Sequence, residues 1–362
     1  MKTILHLTGM HSLKYGGVER YLLELAKLAR LKGYRTVLQY ESHPHSAAYR
    51  HDLESAGCDL AITSIGSSCI SSVPRTVGLI GSIKPEIIQT HFVRGYVHLL
   101  LPLLAHCFGA KQLLAMIHGV QGRTRAWRRI PLNRYSRVIG VSQGVTRSLR
   151  AIGITPEIVS THYLGLFGEP VQSESERDKY RNEFGIPKSA VVLACIAFDS
   201  QLKGVDILLK AIAVMADTHP NLHLLIVGIN PLTSQFPSDA VNLGIGKRTH
   251  WAGIRDEGWR LLNAADLYVQ PSRSEAMPFA VMEAMALHLP VVGTRVGGLP
   301  EIIVDGETGY LVDPIASSLS NGLTTILGKQ QDWATMGMAG YLRYQTHFRG
   351  EASANAFIEA YY

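Results

Sequence analysis

The 362-residue chain has little cysteine: Cys58, Cys69, Cys107 and Cys195, none paired in C-x-x-C spacing. Three of the four sit in apolar surroundings, so reduced thiols in a cytoplasmic setting are expected rather than a disulfide framework. Cys/His spacing of the zinc-site type is absent, and so is an Asp-x-Asp triplet of the kind that holds a metal-bound diphosphate; no bound metal is predicted. Neither half carries G-x-G-x-x-G, which argues against a nicotinamide or flavin enzyme. Long apolar runs are missing too. The richest stretch, Val97 to Ile117, is interrupted by His98, Pro102, His106, Gly109, Lys111 and Gln112, and a membrane span needs about 20 apolar residues. A helix from about Tyr96 to Cys107 followed by a strand from Gln112 to Ile117 accounts for it, and no transmembrane helix is predicted. Met1–Met10 is too short for a signal peptide and reads as a first strand. Low-complexity tracts and short-period repeats are absent.

What is present is alternation. A chain of this length exceeds the size at which single cores stop growing, so two domains are expected. With 46% hydrophobic residues it has enough apolar surface to fold. Strands are predicted at Ile4–Thr8, Thr36–Tyr40, Ile87–Thr90, Leu113–Ile117 and Val138–Val141, then at Val191–Ala197, Leu222–Val227, His250–Ala252, Leu267–Gln270 and Val291–Thr294. Helical spacing separates them, as in Val18–Leu31, where Val18, Leu22, Leu25, Leu28 and Ala29 recur on one face. Strands separated by helices imply βαβ crossovers and parallel sheets, an α/β chain of two Rossmann-like domains. Gly165–Glu176, rich in glycine and small or acidic residues, reads as the linker. The expected division is 1–168 for the first domain and 177–345 for the second. Ligands collect at the carboxyl ends of the strands in such sheets, so a cleft between the two is the expected substrate site.

The most informative segment is 274–286, Ser-Glu-Ala-Met-Pro-Phe-Ala-Val-Met-Glu-Ala-Met-Ala. Leu267–Gln270 precedes it as a strand that stops at Pro271, and Pro278 suits the first turn of a helix, where its missing N–H costs nothing. Glu275 then lies in the loop at the mouth of a βα unit and Glu283 inside the following helix. The helix start offers backbone donors at Phe279, Ala280 and Val281 to an anion such as a phosphate. A carboxylate beside a phosphate seat repels it, so Glu275 is better used on the neutral hydroxyls of a sugar. Lys203, after the strand Val191–Ala197 and before Gly204, can neutralise a leaving diphosphate. Its plain alternative is an exposed helix-start lysine, as Glu283's is a solvent-facing helix residue.

Glu275 through Glu283 resembles the E-x7-E signature of retaining glycosyltransferases of the family-4 type, which have the GT-B fold of two Rossmann-like domains facing a central cleft. The stretches Leu289–Glu301 and Asp305–Val312 are similar to that family's C-terminal run. Leu202–Ala211 resembles its Lys-Gly element, and Gly16-Gly17-Val18-Glu19-Arg20 its first glycine loop. The resemblance covers nearly the whole chain, most strongly from about Val191 to Pro314. It implies transfer of a sugar from a nucleotide-diphosphate donor to an acceptor hydroxyl, with retention, no cofactor and no metal. It further implies that Glu283 accepts from the ribose hydroxyls, that Met277, Pro278 and Phe279 surround the sugar phosphate, and that Ile254 lies near the base. It implies that the final helix, within 346–362, packs back on the first domain. One departure stands out: the family's Gly-Arg before the lysine is Ala197-Phe198 here. Either Arg273 or Arg295 replaces that phosphate partner, or the donor pocket is altered.

Gly16 and Gly17 form the turn after the first strand, where a bare backbone can come close to a donor phosphate or be merely a tight turn. His118, ending Leu113–Ile117, resembles the family's histidine on the acceptor side and can bond a sugar hydroxyl or move a proton; the alternative is a structural strand-end histidine. His91 has the same placement after Ile87–Thr90. Charge is divided unevenly: residues 1–170 hold 20 Lys+Arg against 9 Asp+Glu, which from totals of 35 and 29 leaves 15 against 20 for 171–362. Arg123, Arg125, Arg128, Arg129, Arg134 and Arg137, interleaved with Trp127, can dock on anionic lipid or a phosphorylated acceptor, or form a solvated face. No recognition motif for nucleic acid accompanies them. The expected activity is glycosyl transfer in polysaccharide, lipopolysaccharide or glycolipid synthesis, in the cytoplasm or peripherally at the inner membrane face. A sugar-nucleotide epimerase or hydrolase, and a non-catalytic nucleotide-sugar-binding protein, are the alternatives.

Overall fold

The computed structural model describes residues 1–65, 70–93, 95–119, 130–168, 170–198 and 201–362. They form two units: residues 1–167 with 350–362, and residues 168–349.

The first unit alternates β1 (Lys2–Leu7), α1 (Gly17–Leu31), β2 (Tyr34–Tyr40), α2 (Ala47–Ser55), β3 (Asp59–Ile62), α3 (Ser72–Ile83), β4 (Ile87–Thr90), α4 (Gly95–Cys107), β5 (Gln112–Ile117), β6 (Arg137–Gly140), α5 (Gln143–Ala151) and β7 (Val159–Thr161). All strands pair in parallel in the order β3-β2-β1-β4-β5-β6-β7. The strands read as apolar runs because helices cover both faces of a parallel sheet. Ile4, Leu5, Leu7, Leu38, Ile88, Leu114 and Ile139 are completely buried. Serine caps fix several helix starts: Ser46 accepts from the Tyr49 amide and Ser142 from the Val145 amide.

The second unit runs α6 (Glu174–Glu183), β8 (Val191–Ile196), α7 (Val205–Val214), β9 (Leu222–Val227), α8 (Phe236–Asn242), β10 (Thr249–Trp251), β11 (Leu267–Gln270), α9 (Phe279–Ala286), β12 (Val291–Thr294), α10 (Leu299–Ile302), β13 (Gly309–Val312), α11 (Ala316–Leu327) and α12 (Trp333–His347). Its six parallel strands take the order β10-β9-β8-β11-β12-β13. The core is made by β8, β9, β11, α7 and α11, with Leu193, Leu208, Leu224, Val269 and Leu323 fully buried.

Three strands escape the sequence reading: β3, β7 and β13. The unit boundary also falls inside the expected linker. Gln172 already donates to the Leu287 carbonyl at 2.7 Å, and the Ser173 amide to Asn263 Oδ1 at 2.8 Å, both within the second unit. The last helix, α13 (Gly350–Tyr361), belongs to the first unit. Its Phe357 is buried, Ser353 donates to the Tyr163 carbonyl at 2.7 Å, and the Tyr361 and Ser160 hydroxyls meet at 2.8 Å. Among the described residues, no helix is long and apolar enough to cross a membrane.

Candidate active site

Each sheet has a switch point, where strand order reverses and polar side chains collect at the carboxyl ends. In the second unit it lies where β8 meets β11. Lys203 follows β8 and Glu275 follows β11, and the two meet there: Lys203 Nζ lies 2.7 Å from Glu275 Oε1. The same carboxylate oxygen accepts from Ser272 Oγ at 2.8 Å and from Gln270 Nε2 at 3.0 Å. Tyr268 orients that amide by donating to Gln270 Oε1 at 2.7 Å. Burial raises the Tyr268 phenol well above its usual pKa, so its hydrogen stays available. Tyr268, Gln270 and Ser272 stand two apart, on one face of the strand and its extension. Glu275 is only 7% exposed. Its Oε2 takes no bond among the described residues.

Two glycines hold these loops together. Gly204 (φ +68°) backs onto the Pro271 carbonyl, which would lie 2.0 Å from an added Cβ. Gly297 (φ +55°) backs onto the Glu275 carbonyl, 1.6 Å from such an atom. A side chain at Gly204 would push the Lys203 and Glu275 loops apart, and one at Gly297 would push the Glu275 loop off the loop after β12.

The arginines considered as replacements for the missing phosphate partner are both engaged. Arg273 grips Asp206 through two bonds of 2.7 Å and donates to the Gln201 carbonyl at 2.6 Å. Arg295 binds Asp305 at 2.8 Å and the Leu311 carbonyl at 3.1 Å. Phe198 is half exposed. Met277 and Pro278 are buried beside Glu275, Phe279 opens α9 and is part exposed, and Ile254 is exposed after β10. Pro278 caps α9 with no side-chain bond to its amides. Glu283 is part buried on α9, near enough to Tyr268 to raise its phenol further.

In the first unit the switch point lies between β1 and β4. Gly16 and Gly17 do not make the tight turn expected of them. Gly16 is an extended N-cap whose amide donates to Glu19 Oε2 at 3.2 Å, and Gly17 is already helical. The left-handed residue is Gly9 (φ +61°), whose added Cβ would lie 3.0 Å from the Val93 amide after β4. His118 is part exposed, and its Nε2 is 3.1 Å from Nδ1 of His91. His91 is buried and its other nitrogen faces His6 at 3.2 Å, so both its ring nitrogens are used internally. It backs His118 rather than offering an atom of its own to an acceptor. Arg123, Arg125, Trp127, Arg128 and Arg129 lie outside the described residues. Among the described residues no group of three His, Cys, Asp or Glu could hold a metal ion.

Two doubly wound parallel units, each with its polar groups gathered at the switch point, define a protein of GT-B type. The chain belongs to the family-4-type glycosyltransferases: residues 15–166 match the family described as Glycosyltransferase Family 4, and residues 176–343 that described as Glycosyl transferases group 1. It is 33% identical over 193 residues to a D-inositol 3-phosphate glycosyltransferase of Corynebacterium efficiens, covering 51% of this chain and 45% of that one. It is 29% identical over 261 residues to a GDP-mannose-dependent phosphatidylinositol monomannoside mannosyltransferase of Mycolicibacterium smegmatis, covering 67% of each. The chain spans about half the length of most curated relatives it matches. In fold it is similar to Anabaena HepE in complex with UDP-glucose, with a TM-score of 0.83, 21% identity and 99% of each chain covered.

Proposed function

We propose that this protein is a retaining glycosyltransferase that moves a sugar from a nucleoside-diphosphate sugar to an acceptor hydroxyl, with no resident metal or cofactor. The observation that carries the reading is the Lys203–Glu275 pair at the switch point of the second unit. It sets a cation for a leaving diphosphate beside a carboxylate with one oxygen open to sugar hydroxyls. The amides that open α9, with Met277, Pro278 and Phe279 around them, take the phosphate further. Glu283 takes the ribose hydroxyls, and Ile254 lies against the base. Gly16 and Gly17 form part of the loop that approaches the donor.

The bond from the anomeric carbon to the diphosphate oxygen breaks with its electron pair going to the leaving group. The acceptor oxygen bonds that carbon from the same face, and the acceptor's proton passes to the departing phosphate. Lys203 stabilises the charge as it builds. Arg273 and Arg295 are bound to acids, so lysine and helix amides carry this work without the family's arginine.

The excess of basic residues in the first unit supports an anionic acceptor, or one held at an anionic membrane surface on the cytoplasmic side, with Arg125 and Arg128 among its contacts. The curated relatives point the same way, since their names give D-inositol 3-phosphate and a phosphatidylinositol mannoside as substrates. HepE's complexes with UDP and UDP-glucose make uridine donors the first to try.

The test is a thermal-shift screen of UDP- and GDP-sugars, followed by mass analysis of products on inositol phosphates and phosphoinositides. A product heavier by one glycosyl unit, with released nucleoside diphosphate, is expected. Donor binding with no product on any acceptor would favour a nucleotide-sugar-binding protein, and an isomerised or hydrolysed donor would favour the epimerase or hydrolase.

A further inference from the structure

Three imidazoles form an unbroken file at the switch point of the first unit. His6 lies on β1, His91 directly after β4 and His118 directly after β5, so adjacent strands bring the rings into line. His6 Nδ1 is 3.2 Å from His91 Nε2, and His91 Nδ1 is 3.1 Å from His118 Nε2. Ring centroids are 5.5 and 5.3 Å apart. Beyond His6, its Nε2 lies 3.3 Å from the Tyr362 hydroxyl, which donates to Gln89 Oε1 at 2.5 Å.

The middle ring decides how the file is wired. Burial, then the neighbouring rings, hold the His91 pKa well below the usual value, so it is neutral and carries one ring hydrogen. It must therefore donate one of its two bonds and accept the other, which gives the whole file a single direction. Burial also pushes His6 down to about 3 and His118 to about 4, so the outer rings are neutral as well. The Tyr362 phenol is raised well above its usual pKa by burial and keeps its one hydrogen. Gln89 Oε1 takes that hydrogen, so the Tyr362 oxygen can only accept from His6 Nε2. His6 then accepts at Nδ1 from His91 Nε2, and His91 accepts at Nδ1 from His118 Nε2. The last ring is left with a lone pair on Nδ1, which has no partner among the described residues. All three rings carry their hydrogen on Nε2, the form a histidine side chain also favours in water. The opposite direction needs the Gln89 amide turned over, and it ends in a hydrogen on His118 Nδ1.

We propose that Tyr362 and Gln89 act through His6 and His91 as positioning residues, holding His118 in its Nε2–H form so that Nδ1 accepts a hydrogen bond from a substrate hydroxyl. Phe92 fixes the plane of that ring, stacking on it at 4.6 Å. Identifying the hydroxyl as that of a glycosyl acceptor rests on the transferase reading above; the tautomer does not.

The test is nitrogen-15 NMR of the whole protein labelled in histidine, at pH 7.5, where long-range proton–nitrogen correlations separate the two tautomers. His118 is assigned by the signals lost in His118→Gln. The expected result is a single Nε2–H form at His118 in the unaltered protein, converting to a mixture in Tyr362→Phe while the thermal melt stays intact. An Nδ1–H form at His118 in the unaltered protein overturns the proposal, as does an unchanged single form in a folded Tyr362→Phe. Should that variant not fold, the spectrum of the unaltered protein still decides. Neither readout uses turnover, so an inactive protein with the expected tautomer counts only against glycosyl transfer.

Discussion

At the scale of single residues, the second unit gathers Lys203, Gln270 and Ser272 on one carboxylate oxygen of Glu275. Removing a fixed charge aimed at a developing charge costs about 10²–10³ in rate. Glu275→Gln and Lys203→Ala are each expected to lower turnover by that order with the fold retained, as read by steady-state kinetics beside a thermal melt. Near-normal rates in either would move the donor site elsewhere. The buried histidines make a separate prediction. Their folded pKa values lie below the unfolded value of 6.5, His6 at about 3. Below pH 6.5 the unfolded chain therefore binds more protons, and stability is full above that pH and falls as acid is added. Each fully buried ring contributes a slope of up to about 1.4 kcal/mol per pH unit between those values. Melting curves from pH 7 to pH 4 should show it, and His6→Phe should flatten it. The placement of Glu275 and Lys203 in loops at the carboxyl ends of β11 and β8 is legible from the apolar runs that precede them. Gln270 and Ser272 escape the sequence reading, although Tyr268, Gln270 and Ser272 alternate as polar positions in an otherwise apolar strand. His6 gave the same signal, a lone polar residue within Ile4–Leu7, and only three-dimensional pairing shows what it meets.

At the scale of elements, the strands that read well are those buried on both faces. Ile87–Thr90, Leu222–Val227, Leu267–Gln270 and Val291–Thr294 match to the residue, being apolar runs closed by turn residues. β3 and β7 are short edge strands with part-exposed residues, and β13 hides behind Gly306 and Gly309, so none offers such a run. Buried ion pairs hold elements in register. Asp266, ahead of β11, accepts from Arg177 at 2.6 Å, from Arg181 at 2.9 Å and from the Val192 amide of β8 at 2.7 Å. Arg181 is 3% exposed and also donates to the carbonyls of Ala264, Lys188 and Ala190. Removing one partner of such a pair costs about 3–5 kcal/mol. Asp266→Ala should therefore lower the unfolding free energy of the second unit by that amount, read as a fall in its urea midpoint, and leave the first unit's transition in place. Gly204→Ala forces a Cβ against the Pro271 carbonyl at a left-handed φ. It should lower the melting temperature and also the donor-induced thermal shift.

At the scale of the molecule, charge and connectivity matter most. The basic excess of residues 1–170 predicts that replacing Arg125, Arg128 and Arg129 together by serine weakens acceptor use or liposome binding and flattens its salt dependence. Each basic residue near an anionic surface contributes roughly 1 kcal/mol, and that attraction fades beyond a Debye length. Donor affinity, measured by calorimetry, should not change. Normal acceptor use at both low and high salt would make the cluster a solvated face. Connectivity carries a consequence in time. The second unit is one continuous stretch, 168–349, while the first is closed only when 350–362 joins residues 1–167. Domains usually mature in the order in which they leave the ribosome. Here the order inverts: the half that is synthesised first must wait, with the surface around Tyr21, His162 and Phe167 uncovered, until residues 350–362 emerge. A nascent chain stalled before Gly350 should hold a protease-resistant second half and a first half that chaperones still recognise.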